Sequence, residues 1–448
     1  MAPDSAWRRA PPWAGLPPAL CPFSKPRSAK TAYGYLTPRG DSMPLEPFNP
    51  FRSEVIANPY PYYRRYREEE PVHFSEVLDA WVLTRYEDVD AVLVDHQRFS
   101  ANRRLTRNRF SQYFMAQQEQ IGLLARTLTM LGADPPEHTR LRRLVSKAFT
   151  AKAIDALAPR IEELAHSLLD EAEAKARKDG AFDLVALVAY PLPVVVIAEM
   201  IGVPPEDREM FKRWSDDVAL GLSPFLTPAQ REQVNSSVSE MAMYFADAIR
   251  ERRLHLREDL ISTLVAAREE GQALSDDEVI ATLILLLVAG NETTTNFLGG
   301  AVLSLLQHPD QLDLLRQQPE LMDLAVEELL RWESPAQTTA RVALEDVEIG
   351  EKEIKAYQLV FAVLAAANRD PEVFPDPERL DITRSPNPHL AFGDGIHFCL
   401  GAPLARLESR IALKALLDRF PRLRLAEEKP LWRPTYPLRG LQRLMVAP

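Results

Sequence analysis

The sequence predicts a mainly α-helical protein with a minor β region, folded as a single large domain. From Asp134 to about Gln307 the apolar residues recur almost entirely at helical spacing. Strand-like runs are short and lie before and after that stretch. No linker of Pro, Gly or Ser divides residues 58–448, so one core can extend through this range.

The chain before the helical stretch alternates short strands and helices. PVHFSEV, from Pro71, and AWVLTRY, from Ala80, predict two paired strands. EDVDAVLVD, from Glu87, has helical spacing. Asp134 and Pro135 predict the start of the next helix, DPPEHTRLRRLVSKAFT, because acidic residues and proline favour the first helical turn.

The longest element is predicted between Ser275 and Pro309. Ser275 and Glu278 have the spacing of a capping box, and Pro309 ends the pattern. At 1.5 Å per residue this helix would be roughly 45 Å long. Its middle is apolar on all sides, which predicts a buried helix. VALEDVEI and AYQLVFAVL, after Arg341, then predict strands, and APLARLESRIALKALLDRF predicts a last helix.

The composition is that of a globular protein with a large core: 46% of residues are hydrophobic and 26% are charged. The net charge of −11 argues against nucleic acid as a partner. Cys21 and Cys399 form no disulfide framework, so a reduced, cytoplasmic compartment is expected. The apolar stretches 184–198 and 281–290 are shorter than the ~20 residues of a membrane span. They are expected to be core segments, with no membrane span.

Residues 1–42 are rich in Pro and Arg and lack both periodicity and a continuous apolar segment of the secretory type. They predict a disordered leader before a folded domain at 43–448. Because patterned sequence starts just after Met43, protein beginning at Met43 is expected to fold and function normally.

The loop FGDGIHFCLG, Phe392 to Gly401, holds one cysteine among glycines. Gly395 and Gly401 are expected to supply positive φ and to let the backbone approach whatever Cys399 faces. A zinc site needs about four ligands, and no second cysteine lies nearby. A nucleophilic cysteine needs a base, for which His397 is weak evidence. A single thiolate can instead be the axial ligand of a haem iron.

The pattern F-x-x-G-x-x-x-C-x-G, met by Phe392, Gly395, Cys399 and Gly401, resembles the haem-binding signature of the cytochromes P450. Three further motifs of that family occur in the same order, and the resemblance covers roughly Asn58 to the C-terminus. It is greatest to the soluble bacterial members. The resemblance implies the cytochrome P450 fold and a haem b whose iron is bound by Cys399.

The second motif is AGNETT, Ala289 to Thr294, in the middle of the long apolar helix. Glycine and hydroxyl side chains are unfavourable inside a helix, and buried polar groups need partners, so this polar notch indicates a site. The resemblance implies that Glu292 and Thr293 are the acid–alcohol pair that delivers protons. It also implies that a groove at Ala289 and Gly290 admits dioxygen.

The third motif, EELLR, sets Glu328 and Arg331 three residues apart on one helix face, where they can pair. Taken alone, such a pair is a weak signal, since surface pairs are common. The resemblance implies that the pair meets Arg379 of PERLDITR. The three residues would then brace the cysteine loop without taking part in the chemistry.

The fourth motif, HTRLR, places His138 and Arg142 on one helix face. A cofactor with two carboxylates suits such cationic and hydrogen-bonding groups. The resemblance implies that both contact the haem propionates, together with Arg341 and His397. Without a haem nearby, a solvated helix face would be the commoner explanation.

The resemblance implies a monooxygenase that inserts one oxygen atom of O2 into a lipophilic small molecule, by hydroxylation or epoxidation. The expected setting is secondary metabolism, or lipid or xenobiotic oxidation. The chain carries no flavin or iron–sulfur signature, so NAD(P)H electrons are expected to arrive through a ferredoxin and a ferredoxin reductase. A monomer is expected.

Two alternatives stay open. A peroxygenase would draw its oxidant from H2O2, but family members of that kind tend to lack the acid–alcohol pair. A haem-free scaffold or activator would be non-catalytic, but such relatives typically lose the cysteine.

By resemblance the substrate pocket includes Leu286 and Ala289 of the long helix and Tyr436 and Leu438 of the last turn. The roof, residues 100–131, contains four arginines that could hold an acidic substrate or could simply face solvent: Arg103, Arg104, Arg107 and Arg109. Three basic residues on the HTRLR helix are expected to form a ferredoxin-docking patch: Arg140, Arg143 and Lys147.

Overall fold

The computed structural model describes residues 45–108, 127–221, 226–268 and 271–448. The predicted leader at 1–42 and most of the predicted roof, including Arg109, lie outside the described residues. Within them, the prediction of a mainly helical protein with a minor β region is confirmed.

Helices are the main secondary-structure elements of the described residues, and the last long one follows the cysteine loop. The α-helices are α1 (Ser53–Ala57), α2 (Tyr60–Glu69), α3 (Tyr86–Val94), α4 (Glu137–Ser146), α5 (Ala151–Asp155), α6 (Ala158–Asp179), α7 (Pro191–Ile201), α8 (Arg208–Leu220), α9 (Pro228–Leu254), α10 (Leu260–Ala266), α11 (Asp276–Gln307), α12 (Pro309–Gln317), α13 (Met322–Glu333), α14 (Leu364–Ala367) and α15 (Ala402–Arg419). A π-helical turn, Val185–Ala189, precedes α7, and the 3-10 turn Gly395–His397 lies in the cysteine loop.

In the described ranges, the strands form one five-stranded sheet and three smaller ones. The strands are β1 (Val72–Ser75), β2 (Ala80–Leu83), β3 (Phe99–Ser100), β4 (Phe182–Asp183), β5 (Thr339–Ala343), β6 (Val347–Ile349), β7 (Lys352–Ile354), β8 (Leu359–Ala362), β9 (Arg424–Leu425), β10 (Leu431–Trp432), β11 (Leu441–Arg443) and β12 (Met445–Ala447). The large sheet has the order β1-β2-β8-β5-β3, in which only β2 and β8 are parallel. The predicted pairing of β1 with β2 is confirmed.

Helix α11 is the central element, and its predicted capping box is present: Ser275 and Glu278 satisfy each other's backbone N–H groups. In the described part of the chain, α11 is the one helix long and apolar enough to span a membrane by length and composition, and 72% of its most apolar window is buried inside the protein. Side chains of α6, α13 and α15 form a core cluster with its C-terminal half. Side chains of α4 and α7 to α10 form another with its N-terminal half. The predicted core segments at 184–198 and 281–290 are mostly buried within these clusters.

The backbone of α11 packs closely against a side chain at the end of α13. A Cβ added at Gly300 would lie 2.9 Å from Oε2 of Glu333, so a larger residue there would push α13 away. The Glu333 carboxylate also accepts a hydrogen bond from the hydroxyl of Ser304, one turn further along α11. These contacts hold α13 against the helix that carries the polar notch.

Helix α4 begins at Glu137, two residues later than the earliest helical position that Asp134 and Pro135 suggested. The Asp134 carboxylate instead accepts hydrogen bonds from the backbone N–H of Ala101, at 2.9 Å, and from the Ser100 hydroxyl. The end of β3 is thereby tied to the start of α4, and α4 is held beside the large sheet.

Candidate active site

The cysteine loop is held in place by backbone hydrogen bonds at both ends. The N–H of Cys399 donates to the carbonyl of Phe392 at 2.9 Å, which closes the loop around the 3-10 turn. Nη2 of Arg142 donates to the carbonyl of Phe398 at 2.6 Å and links the loop to α4. Helix α15 starts three residues after the cysteine, with Gly401 as its N-cap.

The two glycines of the motif act differently. Gly395 has φ +65°, and a Cβ there would lie 2.7 Å from the carbonyl oxygen of Leu93, at the end of α3. Both the turn and the close packing on α3 therefore require glycine. The expectation of positive φ at Gly401 is wrong: its φ is −84°, because it caps α15. A Cβ on Gly401 would lie 4.0 Å from Sγ of Cys399, so this glycine leaves the space beside the sulfur open.

The Cys399 thiol lies in a recess that solvent can enter, although protein atoms surround it closely. Desolvation raises the pKa of the thiol, and the backbone N–H groups of Gly401 and Ala402, with the charge of Arg142, act in the opposite direction. Such N–H groups stabilise a thiolate once a cation offsets the desolvation. The loop is therefore suited to a metal-bound sulfur.

The polar notch of α11 carries accessible residues in the middle of a buried helix. Most residues of the helix are buried, but Ala289 is exposed, and Gly290 and Thr293 are partly exposed. Oγ1 of Thr293 donates to the carbonyl of Ala289 at 2.7 Å, so the hydroxyl replaces part of the helical hydrogen bonding. Ala289, Gly290 and Thr293 thus share one accessible face within an otherwise buried helix.

Glu292 faces a different partner, which the motif did not reveal. Its side chain is 8% exposed, and Oε2 accepts a hydrogen bond from Nη1 of Arg433 at 2.8 Å. Burial raises the pKa of the Glu292 carboxyl, and Arg433 opposes that rise. Arg433 belongs to the C-terminal hairpin, far away in sequence, and no local pattern marks it.

The four predicted cofactor contacts include two histidines that lie together. The rings of His138 and His397 have centroids 4.3 Å apart, and Nε2 of each ring is buried without a hydrogen-bond partner. Burial lowers the pKa of His397 to about 3 and that of Arg341 to about 10. His397 is consequently a neutral hydrogen-bonding group at pH 7.

The two arginines of this group have no ion-pair partner among the described residues. Arg341 donates to the carbonyl of Ala340 at 3.0 Å and to the hydroxyl of Thr339, and Arg142 donates to the carbonyl of Phe398. The buried Nε2 atoms of His138 and His397 lack a hydrogen-bond partner, which is costly in a folded protein. These two nitrogens beside two guanidinium groups fit a group that carries two carboxylates, as haem does.

The predicted brace is present with one correction. Nε and Nη2 of Arg331 each donate to the Glu328 carboxylate at 2.8 Å, and both side chains are fully buried. The third guanidinium is that of Arg384, whose Nε donates to Oε2 of Glu328 at 3.1 Å. The prediction of Arg379 in this place is wrong, because the chain turns so that the Arg379 side chain is exposed. Its carbonyl accepts from Arg331 instead, at 3.2 Å.

The brace extends to the cysteine loop. Nδ2 of Asn387 donates to Oε2 of Glu328 at 3.2 Å, only a few residues before Phe392. The neighbouring Glu327 accepts from Arg406 of α15 at 2.6 Å and lies 3.1 Å from Nε2 of His389. Helix α13 therefore holds the chain on both sides of Cys399.

The predicted pocket residues lie in two places. Leu286 is buried in the core cluster of the N-terminal half of α11, one turn before Ala289. Tyr436 packs on Phe361, with ring centroids 6.4 Å apart, and its buried hydroxyl has no hydrogen-bond partner. Leu438 pairs with Ala336 in an isolated β-bridge.

The positive charge of one predicted docking residue on α4 is compensated by nearby acids. Nη2 of Arg140 pairs with Glu137 at 2.9 Å and also with Glu278, so its charge is compensated. Lys147 donates to the carbonyl of Arg268. A cleft of about 620 Å³ lies beside these residues and is lined by His138, Thr139, Arg142, Arg143, Ser146, Gly395 and Ile396.

Comparisons with known proteins show the family of this chain. The family model described as Cytochrome P450 matches residues 77–435. The polyketide biosynthesis cytochrome P450 PksS of Bacillus subtilis is 43% identical over 409 residues, which cover 89% of this chain and 98% of that protein. A solved structure of PksS superposes with a TM-score of 0.81. The cytochrome P450 monooxygenase PikC of Streptomyces venezuelae is 40% identical and covers 90% of this chain and 94% of its own.

A further solved structure is that of P450BioI in complex with an acyl carrier protein ligated to hexadec-9Z-enoic acid. It is 40% identical, covers 88% of this chain and 99% of its own, and has a TM-score of 0.79. The family model spans most of the chain, and these relatives align over nearly their whole length. The chain therefore belongs to the cytochrome P450 family and is a haem-dependent monooxygenase.

Proposed function

We propose that this enzyme inserts one oxygen atom of O2 into a lipophilic small molecule of secondary metabolism, and that Cys399 would bind the iron of a haem b. The observation that carries this proposal is the group of buried donors without acidic partners next to a single thiol. When bound, haem supplies the redox chemistry that activates O2. The protein residues hold the cofactor, exclude water and move protons.

Two sets of residues would hold the haem. His138, Arg142, Arg341 and His397 would donate to its propionates, which satisfies the orphaned nitrogens and compensates the buried charge. Phe392, Gly395 and Gly401 would shape the loop so that the Cys399 sulfur is free to bind the iron. On the opposite side, the small residues Ala289 and Gly290 would leave room for dioxygen.

Proton movement would run through the notch of α11. The Thr293 hydroxyl would donate its proton on the accessible face of the helix and take one back from the Glu292 carboxyl. Glu292 would then recover a proton from the solvent side. A buried carboxyl whose pKa is raised is suited to this exchange. The presence of this pair favours the use of O2 over the use of H2O2 by a peroxygenase.

Electrons would come from NAD(P)H through a ferredoxin and its reductase in the cytoplasm. The face that carries Arg143 and the cleft beside α4 is the candidate docking surface, since α4 contacts the cysteine loop through Arg142. Arg140 contributes less to this surface than the sequence suggested, because Glu278 and Glu137 compensate its charge.

The substrate class is inferred from the relatives. PksS is named for polyketide biosynthesis, and P450BioI was solved with an acyl carrier protein. We propose that the substrate is a medium or large lipophilic molecule such as a polyketide or a fatty acyl chain, either free or attached to a carrier. Leu286, Ala289, Tyr436 and Leu438 remain the candidate pocket residues.

The ferrous–CO difference spectrum of the purified protein tests the proposal. A strongly red-shifted Soret band is expected for wild-type protein, and Cys399→Ser is expected to abolish the band and oxygen insertion. Protein that binds haem without this band would contradict thiolate ligation, and protein without haem would support a scaffold. A screen for low-to-high-spin shifts over a compound library would then identify the substrate.

A further inference from the structure

The hairpin of β10 and β11 is fixed against the face of α11 that carries Glu292. A Cβ added at Gly440 would collide with the side-chain amide of Asn296, one turn after Glu292, so the hairpin backbone packs directly on a side chain of the helix. The N–H of Arg433 donates to the carbonyl of Gly440 at 2.9 Å, which sets the start of the Arg433 side chain. The position of Arg433 relative to α11 is therefore determined by the backbone.

The Arg433 side chain connects the buried carboxylate with solvent. Arg433 is 25% exposed, whereas Glu292 is 8% exposed, and their side chains meet at 2.8 Å. The other titratable groups that face Glu292 are Asp216 of α8 and Tyr190, which donates a hydrogen bond to Asp216. Lys212 lies over the Tyr190 ring, 5.4 Å from its centroid.

The charges around Glu292 oppose one another. Burial and the charge of Asp216 raise the pKa of the Glu292 carboxyl, and Arg433 lowers it. Arg433 also lowers the pKa of Asp216, so one guanidinium acts on both acids. Without Arg433 two carboxyl groups would face each other in a poorly solvated region, and Glu292 would stay protonated to higher pH.

We propose that Arg433 is a positioning residue for proton delivery: it holds the Glu292 carboxylate ionised toward the C-terminal hairpin, and opening of this pair lets Glu292 take a proton from solvent and pass it to Thr293. This inference rests on the proposed function of the acid–alcohol pair. Each proton that Thr293 gives up is replaced by one from Glu292. Glu292 then takes a proton from water beside Arg433, so no proton is left unaccounted for.

The first experiment measures the ionisation of Glu292 directly. The infrared band of the protonated Glu292 carboxyl, identified by its loss in Glu292→Gln, is followed in the haem-loaded protein as the pH is raised. In Arg433→Gln the band is expected to persist to higher pH than in wild type, because the opposing cation is gone. Arg433→Lys keeps a cation and is expected to shift the titration less.

Arg443→Gln is the matched control. Arg443 lies on β11 of the same hairpin and pairs with Glu427 at 2.9 Å, but this pair is exposed and is not among the charges that shift the pKa of Glu292. The control is expected to titrate like wild type. If Arg433→Gln does not accumulate, Arg433→Met takes its place, since it keeps most of the side-chain length.

The second experiment follows product formation against pH. The fall of turnover at high pH is expected to move to higher pH in Arg433→Gln, to move less in Arg433→Lys and to stay in place in Arg443→Gln. A merely structural role would lower turnover equally at every pH. The inference is overturned if the carboxyl band titrates at the same pH in wild type and Arg433→Gln, or if Arg443→Gln shifts as far. Loss of the red-shifted CO band in wild type would instead contradict the proposed function, and the infrared titration would still decide the role of Arg433.

Discussion

At the scale of single residues, a substitution at Thr293 is expected to impair catalysis without affecting cofactor binding. Its hydroxyl has one described hydrogen bond, to the carbonyl of Ala289, so Thr293→Ala should cost only about 1 kcal/mol of stability. Haem content is expected to be unchanged. Product per NAD(P)H consumed is expected to fall about tenfold or more, with the difference released as H2O2, because a positioned proton donor is lost. Unchanged coupling would remove Thr293 from proton delivery.

The arginines of the roof can be distinguished by their surroundings. Arg103 is exposed to solvent, yet protein atoms surround its guanidinium closely enough to lower its pKa, and its charge contributes to the lowered pKa of Arg341, so Arg103 faces the recess beside Arg341. Arg107 instead lies over the ring of Tyr357, 5.7 Å from its centroid. Of the predicted anchors for an acidic substrate, Arg103 is therefore the one best placed.

Arg103→Ala is expected to weaken binding of a fatty acid by about 10- to 100-fold, the worth of one charge-assisted hydrogen bond. Binding of the methyl ester is expected to stay the same, and Arg107→Ala serves as the control. Spin-shift titration measures both ligands. Equal affinities for acid and ester in wild type would leave the pocket without an anchor.

At the scale of elements, the brace between α13 and the chain after α14 supports the cysteine loop. Arg331→Ala leaves a fully buried carboxylate with fewer partners and should cost about 3–5 kcal/mol, giving poorly folded, haem-depleted protein. Arg384→Ala removes one charged hydrogen bond to Glu328 and should cost about 1.5–3 kcal/mol.

Arg379→Ala is the matched control for the brace, because the Arg379 side chain is exposed and its carbonyl is kept. A change within about 0.5 kcal/mol is expected. The free energy of unfolding in urea and the haem content of all three variants measure the effect. An equal loss in Arg379→Ala and Arg384→Ala would contradict the assignment of the third guanidinium.

The same elements show what the sequence could and could not predict. Helix α11, its capping box and the cysteine loop each depend on residues that are neighbours in the chain, so spacing alone predicted them. The partners of Glu328 and Glu292 come from segments whose paths are set by tertiary packing. The path of the backbone between these two positions decides whether the side chain of Arg379 or that of Arg384 contacts Glu328. The hairpin that brings Arg433 to Glu292 carries no sequence motif.

At the scale of the whole molecule, the domain prediction concerns the N-terminal region. Protein that begins at Met43 is expected to bind haem and substrate as the full chain does, because every residue of the candidate site lies beyond residue 100. The unfolding midpoint, the ferrous–CO spectrum and spin-shift affinities of the two proteins measure this. A loss of haem or of substrate affinity in the shorter protein would contradict the assignment of residues 1–42 as a dispensable leader.

The buried donors without acidic partners also link the amount of this protein in a cell to haem supply. His138 and His397 each leave a buried ring nitrogen unsatisfied until a dianion arrives, at about 1–3 kcal/mol for each such group. A ligand that binds only the folded chain adds about 4 kcal/mol when present at a thousand times its Kd. Under haem starvation, therefore, we expect proteolysis to remove much of the newly made chain, so that haem synthesis limits how much enzyme accumulates as well as how fast it works.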